Sequence, residues 1–508
     1  MFRMQRQDVP GSDARPRPAR RPRPVRSAGI LFAVFLLAGI GLALAWPGRS
    51  FSAPTVLSAV WLLGAAAALA LYCVLRTRSL LNPYSLALIS FAVCYPLSAV
   101  VHFLRDQREL RGYYQLGALS GQHNAYVYAS LALVLLALVA FWLGLGVRTG
   151  APKPVKPKPA VASALLLTVS GLFFVAVGLL GVVWLLEGED IYDVLTTVDR
   201  SRYTVGGGTA RYAFLSHWYS WGVIFLLLAW VIRGRILSSF RQRVAFGAAL
   251  FLLPVTIFYV GGRAYIFVWF ATFILVLRHF TVRLSRLFIA ALLLGYVVIA
   301  LTISQQRAGA YRGIQPAYIG DYLTDIVDWE YGRFSMIGAG IELVDARGHG
   351  WGESTLFGLV YVVAMPYHYF RAPLPIQQPQ PAFATMTNYL TGSQLGHIVP
   401  GAISDLYYDF GVFGVAVGCY LLGRFVRFAG ARYENSHYTG SICFWAYTAV
   451  VLAVWTLPLS LTGWVAAVVT DGVPPICLVI LEAASRSGVG FDRRSLSDWR
   501  ACDQHRMG

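Results

Sequence analysis

Long apolar runs alternate with short polar and basic segments along most of the chain. A hydrocarbon core of roughly 30 Å needs about 20 apolar residues per helix, so about twelve of these runs are predicted to span a membrane. Their predicted bounds are 28–46, 54–75, 83–103, 125–147, 161–186, 212–232, 244–260, 264–278, 287–304, 411–428, 442–460 and 463–482. Lipid leaves no partner for free backbone groups, and a barrel needs short alternating segments. The pattern therefore predicts an all-α, polytopic membrane bundle.

One apolar run contains an internal break. It extends from Val244 to Leu277, and as a single helix its roughly 34 residues would reach about 51 Å, which is too long for one span. The pair Gly261–Gly262 interrupts it and is followed by Arg263, the single charge within 255–273. We therefore predict two short spans joined by a tight hairpin at one membrane surface, with Arg263 at the turn.

Composition and loop charges agree with the membrane assignment and give it an orientation. The chain is 57% hydrophobic and 13% charged, whereas soluble domains carry about 25% charged residues. Lys and Arg accumulate on the cytoplasmic side. Eight arginines precede Ala28, alternate loops repeat the bias, and the formal charge is +18. Both termini (1–27 and 486–508) are predicted to be cytoplasmic, and the basic tail is assigned to topology and anionic lipid rather than to nucleic acid.

Two further sequence features bear on the compartment and on metals. The stretch 28–45 resembles a signal peptide, but its long basic leader favours an uncleaved span. The six cysteines fall in predicted spans or the C-terminal tail, and no pair of them has metal-ligand spacing. Neither structural disulfides nor a metal site is expected.

The orientation assigns one large segment to the outer face. Residues 305–410 separate nine predicted spans within 28–304 from three within 411–485, and only this segment is long enough for a folded extramembrane cap. Inside it, STLFGLVYVVAMP at 354–366 is apolar but too short to cross, which favours an interfacial or re-entrant helix. Any chemistry is therefore expected outside the membrane.

The predicted outer face is rich in arginine. A guanidinium offers a planar, permanently charged fork of donors that matches phosphate oxygens. Arginines that converge at a membrane surface would suit a phosphate-bearing ligand with a lipid tail. The candidates are Arg200, Arg202, Arg211, Arg263, Arg307, Arg312, Arg333 and Arg371, with Asp405, Asp409, His368 and His397 among the acids and bases.

Simpler interpretations exist for several of these residues. Arginines at helix ends commonly extend to lipid headgroups, acids at 321–330 fit a solvated helical face, and His397 fits a hydrogen bond to loop backbone. Asp471 lies near the middle of the last predicted span. It marks a broken helix, a functional site or a misplaced boundary, and the sequence leaves these three open.

The order of these features resembles the Wzy-type oligosaccharide repeat-unit polymerases, also called O-antigen polymerases, over roughly residues 244 to 428. The similar features are VGGRAYIF at 260–267, YGRFSMIGAGIELV at 331–344, GWGESTLFGLVYVVAMP at 350–366, RAPLPIQQPQP at 371–381 and GHIVPGAISDLYYDFGVFGVAVGCYLLG at 396–423. One departure is that Asp405 and Asp409 stand where relatives often have Glu and Asn.

The resemblance implies a GT-C-like, metal-independent membrane glycosyltransferase of the cytoplasmic (inner) membrane, without a cofactor. Such an enzyme transfers the growing glycan from undecaprenyl diphosphate to the incoming lipid-linked repeat unit, and a chain-length regulator is a possible partner. The hypothesis for the site is that Arg263 and Arg333 bind the diphosphate, that Arg307 supports them, and that His397 or Asp405 is the general base.

Two other functions stay open at the level of sequence. An O-antigen ligase-type transferase uses the same donor, and His397 is compatible with the loop histidine of that group. A secondary transporter or flippase is disfavoured because no internal repeat is visible and Asp471 is almost alone as a mid-span charge. Transporters commonly have paired broken helices at the midplane.

Overall fold

The computed structural model describes residues 53–77, 82–104, 119–146, 162–186, 210–232, 263–280, 332–357, 360, 382–391, 399–457 and 463–486. Nearly all of these residues are helical, and no β-strand occurs among them. The predicted all-α class is confirmed for this part of the chain.

Thirteen α-helices are named here in chain order. They are α1 (Ala53–Thr77), α2 (Pro83–Ala92), α3 (Ser98–Leu104), α4 (Leu119–Leu145), α5 (Ala164–Leu186), α6 (Ala210–Ile232), α7 (Arg263–His279), α8 (Phe334–Arg347), α9 (Ala382–Thr391), α10 (Ala402–Asn435), α11 (Thr439–Val450), α12 (Gly463–Asp471) and α13 (Val473–Arg486). Two π-helical turns, Val93–Leu97 and Val451–Trp455, connect α2 to α3 and extend α11.

The described helices identify a multi-pass membrane protein. Six helical segments are long and apolar enough to cross a bilayer: α1, α4, α5, α10 and the joined pairs α2–α3 and α12–α13. Three shorter apolar helices lie within α6, α7 and α11 with its π turn. Large apolar side chains such as Leu143, Leu165 and Phe173 are exposed on the outside of the bundle, as lipid-facing positions should be. The predicted spans 28–46, 244–260 and 287–304 lie outside the described residues.

Glycine allows the closest helix pairs to approach. Helices α5 and α6 pack along most of their length. A Cβ atom added at Gly178 would lie 2.6 Å from Cβ of Tyr219, and one added at Gly222 would lie 2.6 Å from the backbone nitrogen of Val175. In lipid, where water does not drive helices together, such close packing is a main source of association.

The first of the two π turns leaves a carbonyl group free for another segment of the chain. Pro96 lies inside the first turn and has no N–H to continue an α-helical ladder. The N–H of Ser98 donates to Tyr95 rather than to Cys94, which leaves the Cys94 carbonyl available. In the second turn, the N–H of Thr456 donates to Val451, five residues back. Such turns often occur at functional sites.

Helix α10 bends within its length. It begins at Ala402, upstream of the span predicted from 411, and the backbone leaves helical geometry at Phe410 and Gly411. Gly411 has φ +63°, a region that glycine adopts without steric cost. The bend therefore separates an N-terminal part of α10 that packs against α8 from the long apolar part that packs against α4.

Candidate functional site

Arg333 lies in a buried position immediately before α8. Its side chain is only 6% exposed, and its backbone N–H donates to the Cys94 carbonyl at 2.8 Å, the group that the first π turn leaves available. Its Nη1 donates to the carbonyl of Gly332 at 2.7 Å. A guanidinium stays charged at any physiological pH, so a positive charge is fixed here inside the protein.

Helix α10 begins against the same residue. A Cβ atom added at Gly401 would lie 2.9 Å from Cγ of Arg333, so the glycine makes room for the arginine stem. The N–H of Ala402 donates to Leu457 at 3.1 Å, and the hydroxyl of Tyr95 donates to the same carbonyl at 2.7 Å. The N–H of Ile403 donates in turn to the Tyr95 hydroxyl at 3.3 Å.

These contacts bring two helix starts together around one arginine. Helix N-termini carry a partial positive charge, and those of α8 and α10 both meet at Arg333 and Gly401. Tyr95 comes from the first π turn and Leu457 follows the second. The arrangement concentrates positive potential at one point and suits an anionic group.

Asp405 lies one turn into α10 from Gly401. Its carboxylate is 1% exposed and accepts a hydrogen bond from the Ser354 hydroxyl at 3.3 Å. The backbone N–H of Ala382 donates to that hydroxyl at 3.3 Å. Asp405 is therefore oriented by a serine that is itself fixed at the start of α9.

Asp409 has a different role from Asp405, although the sequence alone does not distinguish the two aspartates. Its Oδ1 accepts from the N–H of Ser354 at 3.0 Å, and its Oδ2 accepts from the N–H of Thr355 at 2.8 Å and the Thr355 hydroxyl at 2.6 Å. Residues 353–357 are helical, and a carboxylate on the first N–H groups of a helix is a capping arrangement. Asp409 thus holds this helix onto α10.

Polar contacts also hold α8 in place on its other sides. The hydroxyl of Tyr126 in α4 donates to Asp345 at 2.8 Å, and the hydroxyl of Tyr389 in α9 donates to Glu342 at 3.3 Å. Partial burial, together with the nearby Glu342 carboxylate, raises the pKa of Tyr389. The guanidinium of Arg347 lies 5.5 Å from the Tyr389 ring centre. Helix α8 is therefore fixed between α4 and α9.

The predicted site residues divide into three groups. Arg333 and Asp405 are brought to the same end of α10. Arg263 is the first residue of α7, but its side chain lies outside the description, as do Arg307 and His397 entirely. In the described part, no three His, Cys, Asp or Glu side chains converge as metal ligands.

Sequence reasoning missed several residues that build this site. Tyr95, Ser354 and Gly401 were not predicted, and Asp405 was predicted without its serine. Pro96 inside a predicted span is the signal for Tyr95, and the Pro400–Gly401 pair before α10 is the signal for Gly401, whereas Ser354 has no comparable signal.

A second polar cluster lies inside the bundle. Nδ1 of His217 in α6 lies 3.0 Å from Oδ1 of Asp471 at the end of α12, and the Tyr447 hydroxyl in α11 donates to the same carboxylate. His217 is 4% exposed and Asp471 is fully buried. The sequence singled out Asp471 but not its partner.

Comparisons of the chain with protein-family models, with curated proteins and with solved structures each gave no match. The resemblance to the Wzy-type polymerases therefore stays a prediction that rests on the sequence motifs alone.

Proposed function

We propose that this protein polymerises lipid-linked oligosaccharide repeat units at the outer face of the cytoplasmic membrane. The observation that carries the proposal is the buried Arg333, 6% exposed, where the first turns of α8 and α10 meet. The sequence resemblance gives the substrate class, an undecaprenyl-diphosphate-linked glycan. A guanidinium is a permanently charged fork of donors that matches the phosphate oxygens of such a lipid.

In the proposed reaction, an acceptor hydroxyl of the incoming repeat unit attacks the anomeric carbon of the growing glycan. The new C–O bond forms as the bond to the diphosphate breaks, and the electron pair leaves with the diphosphate. Negative charge then grows on the leaving group. Preorganised donors in a partly dehydrated site stabilise such charge without reorganising. This is the role proposed for Arg333 and, from the sequence motifs, for Arg263 and Arg307.

The acceptor hydroxyl must also lose its proton. Asp405 is one candidate to take it, because Ser354 holds this buried carboxylate one turn from Gly401. His397 remains the other candidate. A base held within hydrogen-bond reach of the reacting hydroxyl contributes about 100-fold to 10,000-fold to a rate.

The test uses the full chain in lipid nanodiscs with a synthetic undecaprenyl-diphosphate repeat unit, and measures the ladder of products. We expect Arg333→Ala to reduce polymer formation by about 100-fold or more, the effect of removing one preorganised donor. Arg333→Lys should restore only part of the activity, because an ammonium is not a bidentate fork.

Arg347→Ala is the matched control, since Arg347 lies on the same helix but is exposed. It should leave polymer formation within about twofold, as expected for a surface site. Normal polymer from the Arg333→Ala protein, or an equal loss from Arg347→Ala, would contradict the proposal.

The contact between His217 and Asp471 favours a second candidate, a proton-linked transporter or flippase for a related glycolipid. Ionisable residues within membrane spans mark ion and substrate pathways, and interrupted helices are common in transporters. Transport of the labelled lipid-linked repeat unit across sealed proteoliposomes, without any polymer, would support this candidate over the polymerase.

A further inference from the structure

The break between α12 and α13 has a simple cause in the sequence. In an uninterrupted helix, the carbonyls of Thr470 and Asp471 would accept from the N–H groups of residues 474 and 475. Both positions are prolines, which have no N–H. Two carbonyls inside an apolar span are thus left without helical donors, and lipid cannot satisfy them.

Two tryptophans of α6 replace the missing donors. The indole N–H of Trp218 donates to the Thr470 carbonyl at 3.0 Å, and that of Trp221 donates to the Asp471 carbonyl. The interrupted backbone is therefore satisfied by indoles. The Asp471 carboxylate is not needed for this purpose, so its presence requires another explanation.

The carboxylate instead faces two other titratable groups. Its Oδ1 and Oδ2 lie 3.0 and 3.2 Å from Nδ1 of His217, and the Tyr447 hydroxyl donates to Oδ2. The three side chains come from α6, α11 and α12, and none is more than 4% exposed. Ionisable residues inside a membrane are costly and rarely lack a role.

The neighbouring helices add polar atoms but few charges. Helix α7 contributes buried Nε1 of Trp269 and Oγ1 of Thr272, and α6 contributes Oγ of Ser220. None of these three atoms has a hydrogen-bond partner among the described residues. The Trp269 ring lies 5.1 Å from the Tyr447 ring, centre to centre. The helices that form the cluster and pack against it thus carry buried polar atoms, and a proton or a water molecule can use such atoms.

Few charged residues occur on three of the described elements packed around the cluster. Helix α5 and the π turn Val451–Trp455 contain no charged residue, and α7 has its charges only near its ends, at Arg263, Arg278 and His279. Glu482 of α13 accepts from the N–H groups of Thr439 and Gly440 at 3.0 and 2.9 Å. It therefore caps α11 instead of facing Asp471.

We infer that His217, Asp471 and Tyr447 form a binding site for one exchangeable proton inside the membrane. With the proton bound, His217 and Asp471 together are electrically neutral, either as two neutral groups or as an imidazolium beside a carboxylate. When the proton leaves to water, a neutral imidazole and a carboxylate remain, and the Tyr447 hydroxyl stabilises the single negative charge. This inference does not depend on the proposed glycosyl transfer.

The cluster is linked to the Arg333 site through one helical segment. Tyr447 lies in α11, and Leu457, which holds the start of α10 and Tyr95, follows the π turn at the end of the same segment. The separation along the axis is about 15 Å. A change of charge at His217 and Asp471 can therefore act, through this segment, on the end that contacts the Arg333 site.

The experiment measures protonation directly in the intact protein in nanodiscs, with ¹³C-carboxyl aspartate and ¹⁵N-histidine. Solid-state NMR should give a through-space histidine–aspartate cross-peak in the wild type, and both signals should change together as the pH is varied. Infrared difference spectra recorded over the same pH series should contain a matching carboxyl band. Asp471→Asn should remove the cross-peak and the band, and His217→Gln should remove the cross-peak.

Glu482→Gln is the matched control, because Glu482 is also buried, at 1% exposure, but caps a helix. It should leave the titration unchanged. If Asp471→Asn does not fold, Tyr447→Phe retains the His217–Asp471 pair and should retain the cross-peak with a changed titration midpoint. A wild-type protein without a titrating histidine–aspartate pair, or a titration that survives Asp471→Asn, would overturn the inference.

Discussion

The aliphatic stem of Arg333 packs on the Cα of Gly401, so that a Cβ atom at residue 401 would lie 2.9 Å from Cγ and 3.0 Å from Cβ of the arginine. Gly401 also has φ +78° and ψ 161°, a conformation that is essentially restricted to glycine. The position of the buried guanidinium thus depends on the absence of a side chain one residue before α10.

Gly401→Ala is therefore expected to impair the site without touching a charged residue. The strained backbone should cost about 1–3 kcal/mol, and the added methyl group should displace Arg333. We expect a lower unfolding midpoint in detergent and a loss of polymer comparable to that of Arg333→Ala.

Gly338→Ala is the control for that change. Gly338 lies inside α8, where an added Cβ atom would meet nothing closer than 3.8 Å, and alanine favours helix by about 1 kcal/mol. This variant should be as stable as the wild type or more so. Wild-type polymer from Gly401→Ala would contradict the role given to this packing.

Asp405 and Asp409 should respond differently to mutation. Asp409→Ala leaves the N–H groups of Ser354 and Thr355 without their acceptor, which should cost about 1–2 kcal/mol. Asp405→Asn should reduce polymer formation strongly while it changes the unfolding midpoint little. Thermal unfolding and the product ladder, measured on both proteins, test this. A loss of polymer from Asp409→Ala at unchanged stability would contradict this assignment and give the catalytic role to Asp409.

The glycine contacts between α5 and α6 test the bundle itself. Gly178→Leu should force these helices apart, because even a Cβ atom at residue 178 would lie 2.6 Å from Cβ of Tyr219. Overpacking costs about 1–3 kcal/mol or more. Exposed Leu179→Ala on the same helix is the control and should be nearly neutral. Equal unfolding midpoints for the two variants would argue against this packing.

The spans could be predicted because their signal is local. A run of about 20 apolar residues is enough to identify a helix in lipid, and every described span falls where such a run occurs.

The start of α10 was predicted less well. Its first turns are polar and lie upstream of the apolar run, and the bend at Phe410 and Gly411 separates the two parts.

The site could be predicted only in part because it depends on contacts between distant segments. The YGRF motif pointed to Arg333, but nothing local indicates that residue 333 meets Cys94, Gly401 and, through Tyr95, Leu457. Likewise, Pro474 and Pro475 predict a helix break, whereas the pairing of Asp471 with His217 requires the packing of α6 on α12.

The central claim, polymerisation of lipid-linked repeat units, is tested most directly in a host cell that lacks this protein. Lipid-linked saccharides are extracted and sized by mass spectrometry, with the wild-type gene and an Arg333→Ala gene returned on a plasmid. The proposal predicts single repeat units on undecaprenyl diphosphate and no polymer, with rescue by the wild-type gene alone. Full-length polymer retained on the lipid carrier would indicate a ligase instead, and an unchanged saccharide profile would contradict both enzymes.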